Sequence, residues 1–186
     1  MINTKIRIYI SLIYLVCVHC AQRNSPEDYK IESLDTFEAR EQFLSKLFDD
    51  DQRVRNSKLK QRVLKESNYD LQSNTYKSYV NKQIKMDSIN FSKAIAYLKQ
   101  HEYPSNKVYS SSASLAIWAV GLHQVTYEKR LELFPYLFKS YKNSNLSDEF
   151  FATYVSEMYT LKFKKRFKTS MNQKEDINHL LDTLNL

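Results

Sequence analysis

Several polar residues interrupt the apolar stripes of predicted helices, and their side chains could carry out acid–base chemistry. Gln52 and Arg55 fall on a stripe with helical spacing, and Asp87 interrupts the stripe of a longer predicted helix, with Asn90 close to one turn later. A charge on a core-facing stripe is costly unless it is paired. We therefore predict that Arg55 and Asp87 meet. Asn90 and His123, which ends the most apolar predicted helix, are expected beside them.

This cluster has two interpretations. As a site, His123 is an acid or base, Asp87 and Arg55 are its catalytic partners, and Gln52 and Asn90 bind a ligand. As structure alone, His123 is stabilised by the helix dipole at a C-terminal turn. The long helix then breaks near Ser88, which makes Asp87 an N-cap and lets Arg55 extend to water.

A cationic segment near the C-terminus forms a second candidate for binding. It holds five cations and two phenylalanines in seven residues: Lys162, Phe163, Lys164, Lys165, Arg166, Phe167 and Lys168. Cations with interleaved aromatic residues suit an anionic lipid or polysaccharide surface. The alternative is a solvated helix end whose cations match the helix dipole.

Composition excludes several chemistries. The chain has 186 residues but only one glycine, Gly121, so neither GxGxxG nor GxxxxGK[ST] phosphate loops can form. Scarcity of glycine and proline also argues against all-β folds. No cysteine follows Cys20, and the histidines lack metal-ligand spacing, so we expect no disulfide framework, no metal and no cofactor.

The elements that must position these residues are helices. Apolar residues recur at helical intervals from Phe37 onward, and no segment alternates convincingly with period two. The pattern predicts a single all-α domain over residues 35–186 with six or seven helices. Its centre is the apolar stretch Ser112–Gln124, in which Leu115, Ile117, Trp118 and Val120 are expected to be buried.

The N-terminal residues predict export. Lys5 and Arg7 precede an 11-residue apolar run, Ile8–Val18, which is long enough for a signal peptide and short for a bilayer span. Cys20 closes this region in the manner of a bacterial lipobox, with Cys17 as a competing acceptor. Residues 1–20 are thus predicted to be a signal peptide, and 21–34 a polar tether. The alternatives are cleaved, soluble export and an uncleaved anchor.

The order of several short segments resembles an uncharacterised family of small helical bacterial domains. The segments of this chain that carry the resemblance are Glu38–Glu41, Asp51–Arg55, Met86–Asn90, Tyr103–Pro104 and Ala116–His123. The family has an Asp-Gln-x-x-Arg, an Asp-x-x-Asn, a Gly-Trp-Pro and a Gln-His-Ala segment, and the likeness spans Phe37 to Tyr159. Here Leu122 replaces the glutamine before His123, Glu102-Tyr103 replaces Gly-Trp, and a closing motif is missing, as in a degenerate member.

Two functions from different classes follow. The first is a lipid-anchored, non-enzymatic helical domain of the bacterial cell envelope that binds a partner or ligand. The second is a small envelope hydrolase, or a degenerate relative of one, that uses His123 with Asp87 and Arg55. Although the net charge is +7, the export signal argues against nucleic acid as a partner. A concave pocket that holds these three side chains together would favour the hydrolase. If Arg55 and Asp87 meet without such a pocket, they form a buried structural bridge.

Overall fold

The computed structural model describes residues 31–170 and 172–186 of the chain, apart from the side chain of Glu32. This region is all-α, as predicted, with seven α-helices and one short 3₁₀ turn at Ile31–Ser33. The helices are α1 Phe37–Arg53, α2 Ser57–Glu66, α3 Asn74–Gln100, α4 Ser111–Leu122, α5 Tyr127–Lys142, α6 Asp148–Phe163 and α7 Gln173–Leu184.

Each helix begins after a capping residue whose side-chain oxygen accepts a backbone N–H of the first turn, which satisfies a donor that the helix itself leaves free. Ser147 and Asn172 are two of these caps, and the Asn172 amide also donates to Glu175 at 2.7 Å. The complete set is Thr36, Asn56, Ser73, Ser110, Thr126, Ser147 and Asn172. Short polar side chains thus divide this glycine-poor chain into helices.

Helix α4 occupies the centre of the described fold, as its apolar sequence predicts. It packs against α1, α3, α5 and α6, and Ile117 and Val120 are buried. Leu115 and Trp118 are less deeply buried than Ile117 and Val120. The Trp118 indole lies edge-on against Phe150 and donates to the Phe150 carbonyl oxygen at 2.8 Å. Its polar N–H therefore finds a partner at the boundary of the core.

Helix α3 runs without interruption for 27 residues, so the predicted break near Ser88 is wrong. Ser88 is a helical residue whose carbonyl accepts the Ser92 hydroxyl as well. Helix α1, in contrast, ends at Arg53, and α2 begins at Ser57. Arg55 consequently lies in the connection between two helices, rather than on one continuous stripe with Gln52.

The packed region begins earlier than the sequence predicts. Ile31 and Leu34 are buried, so the last four residues assigned to the tether belong to the folded domain. The predicted signal peptide, Cys17, Cys20 and the rest of the tether lie outside the described residues. Among the helices within 31–186, none is long and apolar enough to cross a membrane.

Candidate functional site

Asp51, on the last turn of α1, is the centre of a polar cluster between α1, α3 and α4. Its carboxylate is fully buried, with a side-chain exposure of 1%, and three other side chains contact it. The Gln52 amide donates to Oδ2 at 2.9 Å, the Arg55 guanidinium lies 3.1 Å from Oδ1, and Nδ1 of His123 lies 3.0 Å from both oxygens. Because a buried charge must be paired, these contacts are what allow a carboxylate in this position.

Arg55 joins this carboxylate to α3. From the connection after α1, its Nη1 donates to the Asp51 carbonyl at 2.9 Å, and its Nη2 donates to Oδ1 of Asp87 at 2.5 Å. The backbone carbonyl of Val54, the residue before Arg55, accepts hydrogen bonds from the Gln83 amide at 2.9 Å and from the Tyr79 hydroxyl at 3.3 Å. These two bonds hold the connection between α1 and α2 against α3. The predicted meeting of Arg55 and Asp87 is thus observed, and the alternative of an Arg55 extended to water is wrong.

His123 reaches the cluster from the C-terminus of α4, where it is the C-cap residue. Since a carboxylate faces Nδ1, this nitrogen carries the proton, and Nε2 is on the opposite side of the ring. The side chain is 27% exposed, whereas Asp51 is sealed from solvent. The imidazole is therefore held on its buried side and accessible on its other side.

A buried arginine fixes the backbone on either side of His123. The Arg130 guanidinium donates from Nε to the Gln124 carbonyl at 2.9 Å and from Nη2 to the Leu122 carbonyl at 2.5 Å. Burial lowers the pKa of Arg130, but from so high a value that the guanidinium keeps its charge. These two charge-assisted bonds, one to the last residue of α4 and one to the residue after the C-cap, fix the backbone that carries the imidazole.

The two predicted binding residues differ in their surroundings. Gln52 is exposed as a whole, and only its amide reaches inward to Asp51. Asn90 is fully buried on α3, three residues after Asp87, and neither of its amide atoms has a hydrogen-bond partner within the described structure. Asn90 is therefore a core residue, and its predicted role as a ligand-binding neighbour of His123 stays a prediction.

A second ionic cluster surrounds Asp50, the neighbour of Asp51. Its carboxylate lies 2.9 Å from Arg53, 3.3 Å from Lys46 and 3.9 Å from Lys93. Sequence reasoning did not single out Asp50 or Asp51 as site residues. The signal was the position of Asp51 four residues after Leu47 and four before Arg55, which places it on the buried face of α1.

The cationic segment Lys162–Lys168 does not form one free surface. Lys162 donates to the Leu184 carbonyl at 2.9 Å, and its ammonium lies 5.3 Å from the Tyr127 ring centre. Phe167 packs edge-on against Tyr159 and His179. Lys164, Lys165, Arg166 and Lys168 remain exposed, together with part of Phe163.

The Asp51–His123 pair can do general acid–base chemistry. A buried carboxylate that accepts Nδ1–H fixes the ring and stabilises the imidazolium that forms when Nε2 takes a proton. Metal binding has less support, because the described residues contain no group of three or more His, Cys, Asp or Glu that could hold a metal ion.

Comparisons with known proteins add no function to this geometry. No family model, no curated protein and no solved structure matches the chain. The resemblance to small helical bacterial domains stays a prediction.

Proposed function

We propose that this chain is a lipid-anchored helical domain of the bacterial cell envelope, and that it is a small hydrolase whose acid–base residue is His123. The observation that carries the proposal is the 3.0 Å contact between His123 Nδ1 and the buried Asp51 carboxylate. A histidine that merely ends a helix does not need a fully buried carboxylate behind it, because the helix dipole already favours it. Such a carboxylate does orient an imidazole that takes up protons at Nε2, and it stabilises the imidazolium that forms.

In this mechanism Nε2 of His123 removes a proton from water as the water oxygen attacks an ester carbon or phosphorus. Asp51 stabilises the imidazolium, which then gives its proton to the departing alcohol oxygen, so one water is consumed and two products form. Arg55 has five N–H donors, of which its contacts with Asp51 and Asp87 leave some unused. These remaining donors stabilise the negative charge that develops on the substrate.

The test compares hydrolysis rates of the full chain and its variants in detergent micelles, with carboxylic and phosphoric esters as substrates. His123→Gln should lower kcat by about 10²–10⁴-fold, the usual contribution of a general base. His179→Gln is the matched control, because His179 is an exposed histidine on α7. Equal rates for wild type and His123→Gln on every ester would contradict the hydrolase.

The non-enzymatic binding domain is the second candidate, and the closure of the ion-pair network favours it. Arg55 is shared by two carboxylates and one carbonyl, so the network links α1 to α3 without any external group. In that case His123→Gln has no hydrolysis rate to change, while loss of the Asp51 contact lowers the free energy of unfolding under either candidate. The hydrolysis rate of wild type and of His123→Gln therefore separates the two candidates.

We also propose that the exposed part of the cationic segment contacts anionic lipid. Lys164, Lys165 and Arg166 follow the end of α6 without a carboxylate partner in any ion pair of the described residues. Each cation near an anionic surface contributes about 1 kcal/mol. Lys164→Glu with Lys165→Glu should weaken binding to phosphatidylglycerol vesicles, whereas Lys107→Glu, in a distant connection, should not. Equal vesicle binding by the double variant and by Lys107→Glu would contradict this contact.

A further inference from the structure

Helix α2 and the first half of α3 carry most of the net positive charge of the chain. Residues 57–85, which we call the basic hairpin, contain seven lysine and arginine residues but only two acidic residues, so they account for +5 of the net charge of +7. All seven cations are exposed: Lys58, Lys60, Arg62, Lys65, Lys77, Lys82 and Lys85.

Little within the protein neutralises these cations. Arg62 lies 3.9 Å from Glu66, but both side chains are more than half exposed, so this pair is weak. Asp70 accepts the backbone N–H of Gln72 at 2.8 Å in the connection between the two helices. The six lysines of the basic hairpin take part in no ion pair of the described residues. A concentration of unpaired like charges on one surface suits an anionic partner.

The two helices of the basic hairpin run antiparallel and border a groove. The Val54 carbonyl, just before α2, accepts Tyr79 and Gln83 of α3, so the start of α2 is held beside the third turn of α3. Glu66, at the end of α2, and Asn74, at the start of α3, line the same groove. The groove has a volume of about 610 Å³ and follows the hairpin from one end of α2 to the other.

Cations flank this groove on both sides. Arg62 lines it from α2, and Lys82 lines it from α3. Lys58 and Lys65 lie one turn before and one turn after Arg62, on the same face of α2. A second hollow of about 490 Å³, lined by Lys82 and Lys85, continues the groove along α3. An extended anionic chain in the groove would therefore meet positive charge along its whole length.

Neutral hydrogen-bonding groups lie between the cations. Asn74 and Ser78 line both hollows, whereas Thr75 lines the first and Asn81 the second. All four side chains are exposed, and each can donate and accept hydrogen bonds. The one aromatic residue among those that line the two hollows is Tyr79, which is buried and whose hydroxyl donates to a backbone carbonyl at 3.3 Å. The groove thus offers cations, hydroxyls and amides, but no exposed aromatic ring.

We propose that the basic hairpin binds a linear anionic polysaccharide along this groove. The carboxylates of such a polymer pair with the flanking lysine and arginine side chains, and its hydroxyls bond to the asparagine, serine and threonine side chains between them. None of the seven cations forms an ion pair with Asp51 or His123 in the described structure. The surface is therefore independent of the proposed acid–base chemistry.

Other polyanions match the groove less completely. Single-stranded nucleic acid is usually bound by aromatic side chains on which its bases stack, and the groove exposes none. A flat anionic bilayer would contact one side of the basic hairpin rather than the groove between its helices. A carboxylate polymer without hydroxyl groups would use the cations but leave the neutral side chains without a partner.

The test titrates the full chain, in micelles of a zwitterionic detergent, with fluorescent oligogalacturonate, a linear polysaccharide that carries a carboxylate on every sugar. Fluorescence anisotropy should show saturable binding at an ionic strength of about 0.15 M. Unlabelled dextran, which is neutral, should not compete. Polyglutamate and single-stranded DNA with the same number of charges should compete more weakly than unlabelled oligogalacturonate. Equal or stronger competition by either polymer would overturn the polysaccharide assignment, and so would the absence of saturable binding.

The site is tested with Lys82→Gln combined with Lys85→Gln. This double variant should bind oligogalacturonate about twentyfold more weakly, because one cation that faces an anionic surface contributes about fivefold. Both lysines are exposed, so the helical circular dichroism should not change. The matched control is Lys164→Gln with Lys165→Gln, which removes the same charge outside the basic hairpin and should leave the affinity nearly unchanged. Equal weakening in the two double variants would overturn the site, because it would indicate attraction to net charge alone.

Two further measurements separate the polysaccharide from other ligands. Ser78→Ala with Asn81→Ala should weaken binding of oligogalacturonate but leave binding of polyglutamate unchanged, since polyglutamate has no hydroxyl groups for these side chains. An equal effect on both polymers would overturn the role of the neutral side chains. Lys82→Gln with Lys85→Gln should also bind phosphatidylglycerol vesicles as wild type does. Loss of vesicle binding in this variant would assign the basic hairpin to lipid and overturn the proposal.

Discussion

Asp51 is the residue whose replacement should destabilise the domain most among the polar residues of the cluster. Removing one partner of a buried ion pair leaves the other charge without compensation, at a cost of about 3–5 kcal/mol. Asp51→Ala would leave the Arg55 guanidinium with Asp87 alone and remove the partner of His123 Nδ1. We expect the free energy of unfolding in urea to fall by that amount.

The matched control is Asp49→Ala, because Asp49 belongs to the same run of three aspartates on α1 but is exposed. Exposed substitutions of this kind usually change stability by about 0.5 kcal/mol or less. If Asp51→Ala and Asp49→Ala lower the free energy of unfolding by the same small amount, the ion pairs of Asp51 do not stabilise the fold.

His101 should make the stability of the domain depend on pH. Its pKa in the folded protein is lowered, chiefly by burial and then by Arg40, whereas the backbone of Ile31 and the charge of Asp35 oppose the shift. Below the ordinary histidine pKa of about 6.5 the unfolded chain binds a proton that the folded chain does not. The free energy of unfolding therefore decreases as pH falls through this value.

His101→Gln removes this contribution, so the variant should lose less stability than wild type between about pH 7.5 and pH 5.5. Urea unfolding at the two pH values measures the difference. His179→Gln serves as the control, because it makes the same substitution at an exposed histidine on α7. A wild-type pH dependence retained in His101→Gln would show that His101 titrates alike in both states.

Gly121, the one glycine of the chain, is required by the packing of helices rather than by its backbone angles. A Cβ added there would lie 2.9 Å from Cε2 of Tyr154 and 3.1 Å from Cδ1 of Leu133. Tyr154 cannot move away easily, because it is fully buried and its hydroxyl donates to the Arg130 carbonyl at 2.8 Å. The small residue thus allows α4, α5 and α6 to approach one another closely.

Gly121→Ala should destabilise the domain although alanine is the better helix former. Overpacking costs about 1–3 kcal/mol, and the higher helix propensity of alanine offsets about 1 kcal/mol of this cost. We expect a net loss of up to about 2 kcal/mol, seen as a lower thermal midpoint. Ser111→Ala, on the exposed first turn of α4, should leave the midpoint nearly unchanged. A raised midpoint for Gly121→Ala would mean that the neighbouring side chains repack freely.

Local patterns in the sequence predict most of the helices. Apolar spacing and capping residues indicate the separate helices and the central position of α4, because both are properties of short segments. The orientation of individual side chains depends on neighbours that the pattern does not contain. Ile84, three residues before Asp87 on α3, is apolar but 56% exposed, so its apolar character alone does not show which face of α3 is covered.

Part of the candidate site was also predictable from a local pattern in the sequence. A charge on an apolar stripe needs a partner, and this argument identified Arg55 and Asp87. It missed Asp51, although the family resemblance includes this residue in its Asp-Gln-x-x-Arg segment. Within the run Asp49–Asp51 both Asp50 and Asp51 are buried. Only the side-chain direction shows that Asp51 is the one that contacts Arg55 and His123.

The attachment of the molecule to the envelope is a prediction about residues before Ile31. Cys20 closes an apolar run and precedes a polar stretch, so a lipidated Cys20 would place the helical domain on a short tether at a membrane surface. At such a surface, the attraction between exposed cations and anionic headgroups acts over about 10 Å. Lipidation and surface contact would then act together, since one acyl signal alone gives weak binding.

Incorporation of a labelled fatty acid in a bacterial host tests this anchor. Wild type and Cys17→Ala should both be labelled and sediment with membranes, whereas Cys20→Ala should lose the label and leave the membrane fraction. Label lost in Cys17→Ala but kept in Cys20→Ala would move the acceptor to Cys17. Wild type that is shortened, unlabelled and soluble would instead indicate cleaved export. Membrane sedimentation without label in all three proteins would indicate an uncleaved anchor, because an intact apolar segment holds the chain without either thiol.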